Sequence, residues 1–112
     1  MIESLKFGKL TIDGKVYEND VAIFPSGEIK PWWRKEGSRC TMDDLEEVLK
    51  SGAKRIIIGN GLYRMMGIVP TVRAAIESKG LKLDIYQSEQ AVTEFNKSQK
   101  DGNVALCLHI RE

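Results

Sequence analysis

The chain has 112 residues, 17 Lys and Arg against 16 Asp and Glu, a net charge of +1, and 42% apolar residues. That length suits one domain spanning residues 1–112, able to bury roughly two thirds of its unfolded surface. The charge balance gives no general pull toward nucleic acid or an anionic membrane, and no apolar run reaches the ~18 residues of a membrane-spanning helix.

Two cysteines, Cys40 and Cys107, lie far apart, with no C-x-x-C and no Cys/His cluster. This argues against a structural zinc site and a thioredoxin-like motif. Without a secretory apolar segment, the expectation is a reducing, cytoplasmic setting. No metal or cofactor is implied.

The N-terminal third reads as strands. "SLKFGKLTI" is followed by Asp13–Gly14, a type I′ hairpin signal. "KVYEND" runs on to the apolar "VAIFP", closed by the turn signal Pro25–Gly27. "EIKPWWR" follows as a short strand, and Pro31 confines it to a sheet edge because it cannot donate to a ladder. Adjacent strand residues face opposite sides, so of Trp32 and Trp33 one enters the core and the other leaves it. The bland reading of the outer ring is a surface Trp stacked on Arg34 or Lys35. The functional readings are a partner contact, where Trp and Arg are enriched, or an aromatic wall for a ligand. Residues 28 to 39 carry four cations against two acids, a thin surplus for phosphate binding, so nucleic acid is not expected.

From Thr41 the period changes. "TMDDLEEVLKSG" reads as a helix with Thr41 as N-cap, Asp43 and Asp44 in the first turn, Leu45, Val48 and Leu49 in one stripe, and Gly52 beyond the end. "RIIIG" is a strand covered on both faces. "PTVRAAIESKG" is a helix with Pro70 in its first turn and Gly80 at its end, and "LKLDIY" is a strand. "SEQAVTEFNKSQKDG" is a helix with Ser88 as N-cap and Ala91, Val92 and Phe95 inward. "NVALCLHI" closes the chain as a strand, with Val104, Leu106, Leu108 and Ile110 on one face and Ala105, Cys107 and His109 on the other. This β-α-β-α-β order predicts a mainly parallel sheet with helices on its faces.

The loop "IGNGLYRMMGIVP" follows a buried strand and precedes a helix, where open α/β sheets gather ligands. Gly59 and Gly61, with Asn60 between them, allow backbone turns and close ligand approach, and their amides suit an anion. The spacing is neither G-x-G-x-x-G nor a P-loop, and the plainer reading is a tight connection whose Leu62, Met65, Met66 and Ile68 cap the core. His109 is the only histidine. On a buried strand it is more often a hydrogen-bonded core residue than an acid or base. Cys107 shares its face about 7 Å along the strand, a spacing at which buried Cys is usually just packed. No catalytic set can be assembled from these residues.

Taken together, "IDGKVYENDVAIFPSGEIKPWWRKEG", "IIIGNG", Val69–Pro70, "QSEQAVTEFN" and "VALCLHI" resemble the Mth938-like family over roughly residues 5 to 110. The resemblance implies a three-layer α/β fold: a mixed central sheet with helices on its faces, an attached N-terminal β-meander, and a last strand antiparallel to the others. Eukaryotic relatives are linked to assembly of mitochondrial respiratory complex I and, in one case, to adipocyte differentiation. No reaction is implied. Trp32, Trp33, Arg34 and Gly37 match a W-W-R-x-x-G pattern, Gly59 and Gly61 an I-G-x-G loop, and His109 a final-strand histidine. Ser38 stands where a histidine is expected, and Arg64 where a small residue is expected. The expected function is a non-catalytic interaction or assembly-assisting module with a protein partner, acting as monomer or homodimer. The alternative is a small anionic ligand held by Arg34, Gly59–Gly61 and His109. A Trp33 projecting into solvent favours the first; a Trp33 roofing a pocket with Arg34 and the glycine loop favours the second.

Overall fold

A computed structural model describes all 112 residues, Met1–Glu112. Ten strands and three α-helices follow in the order β1 (Ile2–Lys6), β2 (Lys9–Ile12), β3 (Lys15–Tyr17), β4 (Val21–Ile23), β5 (Ile29–Pro31), β6 (Arg39–Cys40), α1 (Glu46–Leu49), β7 (Arg55–Asn60), β8 (Gly67–Ile68), α2 (Pro70–Ser78), β9 (Lys82–Tyr86), α3 (Ser88–Ser98) and β10 (Val104–His109). The central sheet has the order β5-β4-β10-β7-β9. One of its faces packs on α1, α2 and the small β6–β8 pair, through Ile56, Ile58, Ala105, Cys107, Leu45, Val72 and Ile76. The other packs on α3 and the β1–β2–β3 meander, through Ile57, Leu106, Leu108, Phe95, Leu10 and Ile12. This is the three-layer mixed α/β fold, and the split of β10 into two faces is as its alternation predicts.

The sheet is mixed for a different reason than expected. β10 runs parallel to β7, and β7 parallel to β9. The antiparallel member is β4, paired with β10 through Leu106↔Ile23 to Leu108↔Val21. The β-α-β-α-β order forces parallel strands through its helical crossovers, whereas β4 enters from the meander with no such constraint. Expecting the last strand to be the antiparallel one is therefore wrong.

Local signals explain most boundaries. Asp13 and Gly14 both have positive φ (48° and 83°), as a type I′ turn needs. "SLKFGKLTI" holds two strands: the chain reverses at Phe7–Gly8, with Gly8 at φ 74°. β5 is an edge strand, as Pro31 requires. Pro70 opens α2, and Gly52 and Gly80 sit at φ 85° and 76° just beyond their helices. The 41–51 segment is a 3₁₀ turn, Asp43–Leu45, followed by the four-residue α1. Thr41 does not cap it. Instead Asp44 turns its carboxylate back onto the Thr41 N–H and hydroxyl (2.9 and 3.1 Å), the acid half of a capping box. Nor does Ser88 cap α3. Gln87 does, accepting from the Gln90 N–H at 3.1 Å.

Candidate functional site

Trp32 and Trp33 divide as strand alternation demands. Trp32 is buried, and its indole N–H donates to the Asp44 carbonyl at 2.9 Å, giving the ring the partner it needs. Trp33 is 74% exposed. Arg34 folds back beneath this pair. Its guanidinium carbon lies 4.7 Å from the Trp32 ring centre, so the cation–π contact is with the inner tryptophan, not the outer one, and Lys35 pairs with Asp43 instead (2.8 Å). Beside Trp33 lies a shallow depression of about 160 Å³, floored by Ala22, Phe24, Trp32 and Val48 and rimmed by Lys30, Asp43, Asp44, Glu46 and Glu47.

Each nitrogen of the Arg34 guanidinium makes a hydrogen bond within the chain. Its Nε and Nη2 donate to the Gly37 carbonyl (3.2 and 2.7 Å), and Nη1 donates to Asp20 Oδ2 at 2.7 Å. The same Oδ2 lies 2.8 Å from His109 Nδ1, and Asp20 Oδ1 accepts the Ile110 N–H at 2.8 Å. Side-chain exposures of 5%, 11% and 12% for Arg34, Asp20 and His109 mark a largely dehydrated cluster. Burial opposes the charge on Asp20. Hydrogen bonds from His109, the Ile110 amide and Arg34 outweigh it, and they hold the carboxyl below its ordinary value of 3.8.

This carboxylate fixes the tautomer of the neutral His109 ring. An ionised carboxylate only accepts, so Nδ1 carries the proton. Arg34 Nη1 and His109 Nδ1 are then two donors converging on Asp20 Oδ2, and the 3.3 Å approach of Arg34 Nη2 to Nδ1 is a contact between two donors, Nη2 donating instead to the Gly37 carbonyl. In the neutral ring the lone pair falls on Nε2. That atom has no partner in the chain and is not sealed from solvent. His109 opens onto a cleft of about 550 Å³ lined also by Asp20, Arg34, Gly37, Ser38, Met65, Met66, Arg111 and Glu112. His109 ends β10 beside Asn60, the last residue of β7, so the cleft sits at the carboxyl tips of parallel strands, where such sheets bind ligands.

The glycine loop is not the open anion nest its spacing suggests. The amides of Leu62, Tyr63 and Met65 donate to the main-chain oxygens of Arg111 and Glu112 (2.8–3.0 Å), and that of Met66 to the Asn60 carbonyl. The Gly61 N–H donates to Ser88 Oγ at 2.7 Å. The glycines admit the chain itself. A Cβ on Gly61, which sits at φ 108°, would lie 2.2 Å from the Glu112 carbonyl carbon, and one on Gly59 2.5 Å from Leu108 and 2.9 Å from Ser88 Oγ. Met66 caps the core as expected, while Met65 is exposed. The buried thiols are inert: burial, with the Asp44 charge, pushes Cys40 up to about 12, and burial raises Cys107 as well.

The structure therefore joins Arg34 and His109 in one cluster, turns Trp33 toward another face, and closes the backbone of Gly59, Asn60 and Gly61 with its own chain. Two residues escaped sequence reasoning. Asp20 precedes the apolar run of β4, and the β4–β10 register sets it opposite His109. Ser88 is buried and links the Gly61 amide to the His109 carbonyl, to which its hydroxyl donates at 2.6 Å. An acid at the lip of an apolar strand was the available signal for Asp20; Ser88 gave none.

No helix here is long and apolar enough to cross a membrane. The chain is similar over its full length to a conserved hypothetical protein, PH1505, from Pyrococcus horikoshii, at 21% identity, covering 99% of that chain with a TM-score of 0.91. It is also similar to the protein MT938, at 22% identity over 100% of this chain and 98% of that one, TM-score 0.84. A protein described as an outer membrane protein from Bartonella henselae matches 99% of this chain and 94% of its own, at 22% identity and a TM-score of 0.83. At these identities the likeness is one of fold. Residues 2–109 match the family model described as a protein of unknown function, DUF498/DUF598, and with the Mth938-like fold on the page the chain belongs to that family.

Proposed function

We propose that this chain is a non-catalytic protein-binding module whose anchor is Trp33. The observation that carries this reading is the 74% exposure of Trp33 between two immobilised neighbours. Trp32 is pinned by its indole N–H and by its amide on the Asp20 carbonyl (2.9 Å). Arg34 is pinned by Asp20 and Gly37. A large ring presented on a fixed backbone loses little freedom on binding, which is what a hot-spot anchor requires.

The partner is specified in outline by the depression next to that ring. Its floor is apolar, its volume admits one apolar side chain, and its rim carries four acids against one lysine. Lys30–Glu47 and Lys35–Asp43 are solvent-exposed pairs, worth little and readily exchanged for a partner's cations. The fitting partner is a segment with an apolar side chain flanked by Lys or Arg. The test is affinity capture from cells that make the protein, comparing the wild type with Trp33→Ala and Trp33→Phe. The reading expects one stoichiometric partner lost from Trp33→Ala and largely kept by Trp33→Phe, with unchanged melting for both. Capture unaffected by Trp33→Ala, or no stoichiometric partner at all, defeats it.

A further inference from the structure

The depression beside Trp33 runs up to β5, and β5 is an open edge of the central sheet. The Phe24 N–H bonds to the Glu28 carbonyl and the Trp32 N–H to the Asp20 carbonyl. Residues 28, 30 and 32 therefore turn their main-chain groups toward β4, and residues 29, 31 and 33 turn theirs outward. The N–H and C=O of Ile29, the C=O of Pro31 and the N–H of Trp33 point off the sheet with no partner in the chain. The opposite edge, β9, is closed: Leu83 is buried, and its carbonyl accepts from Arg73 Nη1 at 3.0 Å.

β5 also has a depression on each face. Toward α1 lies the one floored by Phe24 and Trp32. On the meander side a second, of about 130 Å³, is lined by Tyr17, Val21 and Ile29, and both reach Lys30 and Pro31. A strand added to β5 puts successive side chains on opposite faces, so two adjacent residues enter the two depressions. Charge selects the strand. Asp43, Glu46 and Glu47 pair with Lys35, Lys50 and Lys30, but Glu18, Glu28 and Asp44 line the same edge and form no ion pair. A second copy of this chain would bring the same surplus of acid and be repelled.

We propose that the partner segment binds as an added strand on β5, with two consecutive apolar residues flanked by Lys or Arg. This rests on the reading of Trp33 as an anchor and deepens it. Outward main-chain groups of Ile29, Pro31 and Trp33 hold the segment, and the two depressions select its side chains. Pro31 accepts but cannot donate, which keeps the edge from pairing with strands at large.

The probe is the capped peptide Lys-Arg-Val-Ile-Arg-Lys, added to the nitrogen-labelled full chain and followed by NMR. Saturable binding is expected, with amide exchange at Ile29 and Trp33 slowed about tenfold or more and that at Lys30 and Trp32 unchanged. Of two peptides N-methylated singly at Val or at Ile, one loses about tenfold in affinity and the other little, because alternate amides face the edge. Glu in place of the four cations, or Ser in place of Val and Ile, removes binding. No saturable binding at about 1 mM peptide overturns the proposal, as does equal tolerance of both N-methyl groups. Binding that needs Trp33 but leaves the Ile29 amide exchanging freely overturns the added strand and spares the anchor. Protection of Ile29 that survives Trp33→Ala upholds the strand and defeats the anchor.

Discussion

Asp20→Ala tests the keystone of the strand-tip cluster. The substitution leaves a guanidinium of 5% exposure with only the Gly37 carbonyl, frees His109 Nδ1, and orphans the Ile110 amide. Breaking a buried pair by removing one member costs about 3–5 kcal/mol. The cluster borders a cleft, so water reaches it once Asp20 is gone, and the lower end, about 3 kcal/mol, applies. At about 2.1 cal/mol/K per residue, a chain of 112 residues loses about 13 °C of Tm for that free energy. The pH dependence has a definite sign. The folded-state carboxyl titrates below its ordinary 3.8, so its contribution is whole above that value and is lost as pH falls through the lower folded value. Thermal melts of wild type and variant are compared at neutral pH and in steps downward from the ordinary value of 3.8, where the gap should narrow progressively as the folded-state carboxyl takes up its proton. A variant within about 3 °C of wild type at neutral pH, or a gap that does not narrow as pH falls below 3.8, refutes the reasoning.

The two tryptophans should part company in a denaturant series: Trp32→Ala costs about 3–5 kcal/mol as a core truncation that also strands the Asp44 carbonyl, while Trp33→Ala stays within about 0.5 kcal/mol of wild type. Gly61→Ala must lose far more stability than Gly80→Ala. Both have positive φ, worth about 1–2 kcal/mol, but only Gly61 also meets the Glu112 main chain, while Gly80 faces open space. Equal losses in a urea titration would show that the close approach is absent. Cys40 and Cys107, both buried, should resist a colorimetric disulfide reagent at neutral pH until denaturant is added, and immediate reaction of either thiol would contradict their burial.

Periodicity carried the fold a long way. The alternation in β10, the Ala91–Phe95 stripe of α3, the Asp13–Gly14 turn and the edge position of Pro31 are all local consequences of side-chain geometry, so they read directly from the chain. The site did not, because it depends on register. Asp20 and His109 are 89 residues apart, and only the antiparallel pairing of β4 with β10 makes them neighbours. The resemblance named His109 and Arg34 but not the acid that joins them. A glycine whose Cβ would strike a ligand looks the same in sequence as one whose Cβ would strike residue 112. Alternation said that Trp32 and Trp33 must face opposite ways, yet which one faced inward was set by Ala22, Phe24, Leu45 and Val48 filling one side of the sheet.

Photo-crosslinking from position 33 in living cells puts the display of Trp33 to the most direct test. A photoreactive residue there, 74% exposed in the native ring, should join a single partner through a Lys- or Arg-flanked apolar segment, whereas the same residue at Thr93 on the far layer should not. Crosslinking that is equal at both positions, or that yields no discrete adduct at position 33, would contradict the account.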